Sequence, residues 1–217
     1  MTLAGYIRRK LQCTWTLCSW MGRTWKDQRA SQIVEFTVTL PLLIVIIVGI
    51  FDFSGAFTLK QKLANAAREG ARAAAADPAN DLGGATAPAT VPVSVGDAFQ
   101  VVDNYLTNAK IDDCGLSAAA PSTGGVLTWV YTANGGTCPA AGITVTINRG
   151  YYFSQTATAP ATSCTAPGGT PAVAVIATCV SIRYPYQWRF NRVVGLLHAT
   201  SSVPSTFTTI AMALNEN

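Results

Sequence analysis

Residues 31–59 read SQIVEFTVTLPLLIVIIVGIFDFSGAFTL and decide the fold of the N-terminal part of the chain. Between Glu35 and Lys60 lie 24 residues, and Asp52 carries the only charge among them. At about 1.5 Å of rise per residue, a helix of that length covers the roughly 30 Å hydrocarbon core of a bilayer. The stretch therefore predicts a transmembrane helix.

The helix is expected to continue beyond the apolar run, so that residues 31–76 form one long helix that is transmembrane in its first half. Pro41 removes one backbone hydrogen bond inside the run and predicts a kink, which membrane helices tolerate. Past Lys60 the pattern becomes alanine-rich and amphipathic. One face of this part is made of small groups that permit close helix packing, namely Leu63, Ala67, Gly70, Ala71 and Ala74.

The basic charge of the chain is concentrated before this helix. Residues 1–30 contain six Lys and Arg residues and one Asp, whereas the remaining residues contain nine basic and ten acidic groups. Short segments rich in Lys and Arg stay on the cytoplasmic side of a membrane, so residues 1–30 are expected to be a cytoplasmic leader. The net charge of +4 is therefore no sign of nucleic-acid binding.

Four of the six cysteines follow the apolar run, at Cys114, Cys138, Cys164 and Cys179. Four cysteines in an exported, loop-rich domain predict two disulfides, for which three pairings are possible. The pairing of Cys114 with Cys138 and of Cys164 with Cys179 is favoured because these residues are neighbours in sequence. A metal site is less expected because the chain has no CxxC pair, and no cofactor is expected.

The rest of the chain predicts a linker and a small α+β domain. Residues 77–96 are rich in Pro, Gly and Asn and are expected to be the linker, and residues 97–217 the domain. A short helix is predicted over residues 97–110, with Asp97 as its N-cap. Alternating apolar side chains predict an antiparallel sheet, with strands near residues 126–132, 143–148, 173–184 and 205–214.

Two carboxylates lie near the ends of the apolar run. Glu35 precedes the run, where a carboxylate is costly unless something neutralises it. The amine at the new N-terminus of a neighbouring subunit could neutralise it, or the carboxylate could simply favour the helix N-terminal dipole, and charge placement weighs the two equally. Asp52 is expected near the outer membrane face, where contact with interfacial water is preferred to a polar contact with a partner helix.

No catalytic arrangement is expected. His198 is the single histidine, and no serine or cysteine pattern places a nucleophile beside it, so a structural role is expected. Residues 181–192 read SIRYPYQWRFNR and are basic and aromatic. A solvated strand end or a contact with a partner protein is expected there in preference to nucleic-acid binding.

The block RASQIVEFTVTLPLLIVIIVGIFDFSGAFTLKQKLANAAREGARAAA, residues 29–75, resembles the N-terminal segment of TadE-like proteins of the tight-adherence (Tad/Flp) pilus machinery. The shared motifs are Ala30, Glu35 with Phe36, Leu40 with Pro41, residues 49–53 (GIFDF) and residues 65–72 (NAAREGAR). More loosely, VSIRYPYQW and TTIAMALNEN resemble the last strands of that family.

The resemblance implies a non-enzymatic minor pilin or pseudopilin of a type IV pilus. A prepilin peptidase would cut between Ala30 and Ser31, although family leaders usually end in Gly. The helix contacts made during assembly would involve Glu35, Phe36, Pro41 and Asp52. The implied partners are other pilin and minor pilin subunits, the prepilin peptidase, the pilus assembly platform of the bacterial inner membrane and membrane lipid.

Two other classes of protein remain open. One is an unprocessed, single-pass adhesin or binding domain, whose N-terminus would stay intact. The other is an exported enzyme released by signal peptidase after residues 54–56, which form a small-x-small pattern. Asp52 inside the apolar run and the missing catalytic arrangement weigh against the enzyme.

Overall fold

The computed structural model describes residues 28–138, 142–152, 163–165, 176–189 and 204–216, with side chains from Gln32 onward. The chain divides into two compact units: the first ends at Phe51, and the second is Asp52–Asn217. The second unit combines helices with one antiparallel sheet, so the expected α+β class is confirmed.

Helix α1, Gln28–Ala76, is 49 residues long and contains the whole apolar run. Among the described residues, it is the one helix that is long and apolar enough to cross a membrane. Backbone groups in lipid must be satisfied within the segment, and the alanine-rich part that follows has high intrinsic helix propensity. Pro41 lies inside α1 with helix on both sides, and the kink expected there stays a prediction.

Two helical elements follow α1 before the sheet. A 3₁₀ helix, Ala79–Leu82, precedes helix α2, Val93–Asn108. The predicted start of this helix at Asp97 is therefore wrong. The Ser94 N–H donates to Asp81 Oδ2 at 3.0 Å, so a carboxylate from the preceding segment serves the first turn of α2. Local sequence does not reveal this cap because its acceptor comes from outside the helix.

Five strands form one antiparallel sheet in the order β1-β2-β3-β4-β5. They are β1 (Pro121–Gly125), β2 (Thr128–Ala133), β3 (Ile143–Tyr152), β4 (Ile176–Pro185) and β5 (Thr206–Leu214). The four predicted strands correspond to β2 through β5, and residues 173–175 lie outside the described part of the chain.

Strand β1 is not predicted by the alternation pattern, because PSTGG contains no large apolar side chain. It pairs with β2 at the edge of the sheet, with Ser122 opposite Val130. A Cβ atom on Gly124 would lie 2.7 Å from Val130 Cγ2, so the missing side chain lets the two strands approach. Backbone pairing rather than side-chain burial therefore defines this strand.

One face of the sheet packs against α1 and α2 and forms the main core. Ile143, Val145 and Ile147 are fully buried on β3 and alternate with half-buried threonines, as the sequence pattern predicts. A smaller cluster contains Tyr151 and Cys179. Because successive strand residues point to opposite faces, Cys179 lies on the face opposite Val180 of the main core. The face opposite the main core therefore carries a smaller apolar cluster of its own.

Candidate functional site in helix α1

Most of the described apolar side chains of the first unit are exposed. Phe36, Leu42 and Phe51 are 64%, 64% and 75% exposed, respectively. The Thr37 hydroxyl donates to the Ile33 carbonyl oxygen at 2.7 Å, so this polar group is satisfied within the helix and needs no water. Such a surface is suited to lipid or to other apolar helices rather than to water.

Three residues expected to act in assembly lie on this surface. Glu35, Phe36 and Pro41 are all exposed on α1. Ala30 and Ser31, the expected processing site, belong to the first turn of the same helix. The roles of these five residues stay predictions. Once lipid or protein surrounds the helix, however, the Glu35 carboxylate requires a cationic or polar partner.

Asp52 begins the second unit and is only 6% exposed. The Tyr186 hydroxyl donates to Asp52 Oδ1 at 2.9 Å and lies 3.1 Å from the Asp52 carbonyl oxygen. The expectation that Asp52 contacts interfacial water is therefore wrong, since a residue beyond the end of β4 supplies a hydrogen-bond donor. A contact between Asp52 and another subunit stays a prediction.

Tyr186 is held in its protonated form by this environment. Burial raises the pKa of Tyr186 to about 12, and the hydrogen bond to Asp52 and its negative charge act in the same direction. Arg189 opposes the rise, so its positive charge lies close to the phenol. Because the phenol keeps its proton at neutral pH, it remains a hydrogen-bond donor to Asp52.

Aromatic side chains surround this contact. The Phe53 ring lies 5.2 Å from the Trp188 ring, and the Tyr186 ring lies 4.9 Å from it. Trp188 Nε1 donates to the Pro204 carbonyl oxygen at 2.6 Å, and Trp188 is 9% exposed. The expected solvated strand end is therefore wrong for Trp188, which packs against α1 instead.

The small-residue face of α1 is occupied within the second unit. Leu63, Ala67 and Ala71 are buried in the main core. A Cβ atom on Gly70 would lie 2.6 Å from Val102 Cγ2 of helix α2. The close helix packing that this face permits is thus made with α2 of the same chain, which leaves the face unavailable to a helix of another subunit.

Arg149 ties the C-terminal end of α1 to the sheet. This fully buried side chain donates through Nη1 to the Ala74 carbonyl oxygen, to Thr178 Oγ1 at 2.8 Å and to Asn215 Oδ1 at 3.1 Å. Its Nη2 donates to the Asp77 carbonyl oxygen at 3.1 Å. The guanidinium therefore satisfies carbonyl groups that the end of a helix leaves without intrahelical partners.

The sequence analysis missed Arg149, although a signal was present. Ile143, Val145 and Ile147 mark every second position of β3 as buried. Residue 149 continues that period of two, so an arginine at this position stands on the core face of the strand. A charged residue in register with buried neighbours predicts a buried hydrogen-bonding role.

The two disulfides have the pairing favoured by the sequence. Cys114 is bonded to Cys138 and Cys164 to Cys179, with Cα–Cα distances of 5.5 Å and 5.4 Å. Asp112 lies close to the first pair and would complete a set of three possible metal ligands. Both sulfur atoms of this set are consumed by the disulfide and are not thiolates, so the set does not fit a metal site.

The Asp112 carboxylate instead accepts hydrogen bonds from its surroundings. The Thr137 hydroxyl donates to it, and so does the Cys114 N–H at 2.9 Å. These bonds, led by that from Thr137, hold the pKa of Asp112 below its usual value. The interaction joins the two segments that the first disulfide links.

His198 and Arg192 lie outside the described residues, and the structural role expected for His198 stays a prediction.

The similarity to a known protein family lies within α1. The family model described as TadE-like protein matches residues 30–72. No curated protein and no solved structure matches the chain. The matched segment includes the exposed apolar surface, Asp52 and Gly70. Residues 30–72 are therefore a TadE-like segment, which confirms the family resemblance seen in the sequence.

Proposed function

We propose that this chain is a minor pilin or pseudopilin that takes part in the assembly of a tight-adherence type IV pilus. Helix α1 anchors the subunit in the bacterial inner membrane, with residues 1–30 in the cytoplasm and the α+β domain outside it. A prepilin peptidase removes residues 1–30. The remaining apolar part of α1 then packs beside the helices of other pilin subunits.

The observation that carries this proposal is the unequal exposure of α1. Its apolar side chains are exposed in the first unit, for example Phe36 at 64% and Phe51 at 75%. Its apolar side chains on one face in the second unit, such as Leu63 and Ala67, are fully buried. The helix therefore offers one apolar surface to lipid or partner helices, while the domain is held by the other part. A subunit moved from a bilayer into a filament needs both properties.

Glu35 sets the axial offset between the packed helices of neighbouring subunits. Cleavage between Ala30 and Ser31 creates a free amine four residues before Glu35. The amine of one subunit can neutralise the Glu35 carboxylate of its neighbour, where an unpaired charge would be costly in an apolar surrounding. Because this ion pair forms only at one axial offset between adjacent helices, it favours that offset over others.

The first experiment is N-terminal sequencing and intact-mass measurement of the protein from its native membrane, with and without the prepilin peptidase. A start at Ser31 that depends on the peptidase supports the proposal. An intact N-terminus in both strains would favour the unprocessed anchored protein. A start near residue 57 would favour the domain released by signal peptidase.

Two matched pairs of variants then separate processing from assembly. Ala30→Phe should block cleavage because the bulky residue does not fit a site for small groups, whereas Ala30→Gly should preserve it. Glu35→Ala should leave the protein membrane-bound and processed but reduce piliation. Glu69→Ala is its control, because Glu69 is an exposed carboxylate on the same helix that pairs with Arg72. Normal pili with Glu35→Ala would remove Glu35 from the mechanism.

A further inference from the structure

A polar groove in the second unit lies beside the end of the apolar run of α1 and the first residues that follow it. Its volume is about 650 Å³, and Ser54, Thr58 and Lys62 of α1 form one wall. Asp112 and Tyr186 contribute to the opposite side. A groove of this size has room for a phosphate ester and its neighbouring polar groups.

The described residues that line the groove have an excess of positive charge. Lys62, Lys110 and Arg189 contribute three cations, and Asp112 contributes one carboxylate. Asp52 lies behind Tyr186, and one positive charge remains in excess when it is included. Lys110 and Arg189 are exposed, so their charges are free to meet an anion at the mouth of the groove.

The three cations of the groove differ in their hydrogen bonds to the rest of the protein. Lys62 Nζ donates to the Ala109 carbonyl oxygen at 2.9 Å, at the C-terminal end of α2. Lys62 is half-buried and is thus held in place by this bond. We therefore assign it a structural role and assign anion binding to Lys110 and Arg189.

The position of the groove along α1 indicates which anion is near. Counted from Phe36, the residue after Glu35, the 20 residues to Gly55 cover about 30 Å at 1.5 Å per residue, which matches the hydrocarbon core of a bilayer. Ser54 lies at the end of this stretch, and Thr58 and Lys62 follow within roughly 11 Å along the helix, a distance that falls at the headgroup layer. Phe53 and Phe57 on the neighbouring positions are 51% and 65% exposed, and exposed aromatic rings favour this interface.

We propose that the groove binds the phosphate headgroup of an anionic phospholipid, with Lys110 and Arg189 as the binding cations. The lipid holds the domain close to the membrane surface before assembly. The binding requires only the folded domain and an amphipathic layer around α1, either a bilayer or a lipid-doped micelle, so it is independent of pilus formation and of cleavage after Ala30. A failure of pilus assembly in the experiments above would leave this inference standing.

The test uses the full chain in neutral detergent micelles doped with phosphatidylglycerol or with phosphatidylcholine, and native mass spectrometry measures the lipid retained. We expect preferential retention of phosphatidylglycerol. Each cation near a membrane surface contributes about a 5-fold change in affinity, so Lys110→Gln with Arg189→Gln should weaken retention roughly 25-fold. The charge-preserving pair Lys110→Arg with Arg189→Lys should restore it.

The control is Arg68→Gln with Arg72→Gln, which removes two exposed cations of α1 that do not line the groove. This variant should retain phosphatidylglycerol as the unaltered chain does. Equal retention of the two lipids, or unchanged retention by the Lys110 and Arg189 double variant, would overturn the proposal. Displacement of the lipid by an equal concentration of inorganic phosphate would also overturn it and would assign the groove to free phosphate.

Discussion

Gly70 tests the contact between α1 and α2 because alanine should destabilise the fold there. A Cβ atom at this position would lie 2.6 Å from Val102 Cγ2 and 3.3 Å from the Ala98 carbonyl oxygen. The first distance is far below van der Waals contact, and the β-branched valine has little rotamer freedom in a helix. Overpacking a core in this way costs about 1–3 kcal/mol.

Gly96 is the matched control for this substitution. It also lies in a helix, α2, but a Cβ atom there would meet nothing within 4 Å. Alanine is more favourable than glycine in a helix by about 0.5–1 kcal/mol, and this gain applies at both positions. Gly96→Ala should therefore stabilise the protein, whereas Gly70→Ala should destabilise it by about 1 kcal/mol after the gain is subtracted from the overpacking cost.

The assay is thermal unfolding of the full chain in mild detergent with both disulfides intact, followed by near-ultraviolet circular dichroism. A change of 1 kcal/mol shifts the Tm of a domain of this size by about 2–4 °C, so a difference of about 1.5–2 kcal/mol should separate the two variants by roughly 3–8 °C. Adding Val102→Ala to Gly70→Ala should show a favourable coupling of at least about 1 kcal/mol, because the clash disappears. Equal Tm values for Gly70→Ala and Gly96→Ala, or strict additivity in the double variant, would refute the close approach.

Three further predictions concern the ties between α1 and the domain. Tyr186→Phe should lower the free energy of unfolding by about 1.5–3 kcal/mol in a denaturant titration, because the Asp52 carboxylate loses one hydrogen-bond donor. Tyr105→Phe, a control at a half-buried phenol, should lower it by less than about 1 kcal/mol. In a spectrophotometric titration, the Tyr186 phenol, identified by its absence in Tyr186→Phe, should ionise near pH 12. Because this folded-state pKa is above the usual value of 10, the contribution of the protonated phenol to the stability of the fold is complete below pH 10. That contribution is lost as the pH rises through 12. Arg149→Met should lower the free energy of unfolding by on the order of 3 kcal/mol and accelerate proteolysis near Ala76, because Arg149 is fully buried. Its control is Arg183→Met, at an exposed position of β4, which should change the free energy of unfolding by less than about 0.5 kcal/mol.

The elements of this fold were largely predictable because their signals are local. A run of 24 residues with one charge predicts α1, and the alternation around Val145 predicts β3. Three disulfide pairings were open, and the one favoured for proximity along the chain, with separations of 24 and 15 residues, is the one formed. In each case, short segments of sequence contain the information that the structure uses.

The candidate site was less predictable because its contacts join distant parts of the chain. Tyr186 and Asp52 are 134 residues apart, and Arg149 is 75 residues from Ala74. A carboxylate at the end of an apolar run looks exposed until a distant tyrosine is known to reach it. The small face around Gly70 is ambiguous for the same reason, since its composition predicts close packing but does not identify the partner.

Three kinds of interaction attach the second-unit part of α1 to the rest of the domain. Asp52 is held by a hydrogen bond from Tyr186, the middle of the segment by buried side chains such as Leu63, and its end by Arg149. Residues 52–76 cover about 36 Å, so a pull along the helix is shared over that length. Because apolar burial in the middle does not depend on hydrogen-bond geometry, loss of either end should loosen that end alone. Under the function proposed above, the subunit is drawn out of a bilayer by its helix, and an attachment distributed along α1 shares that force among several contacts of a few kcal/mol each.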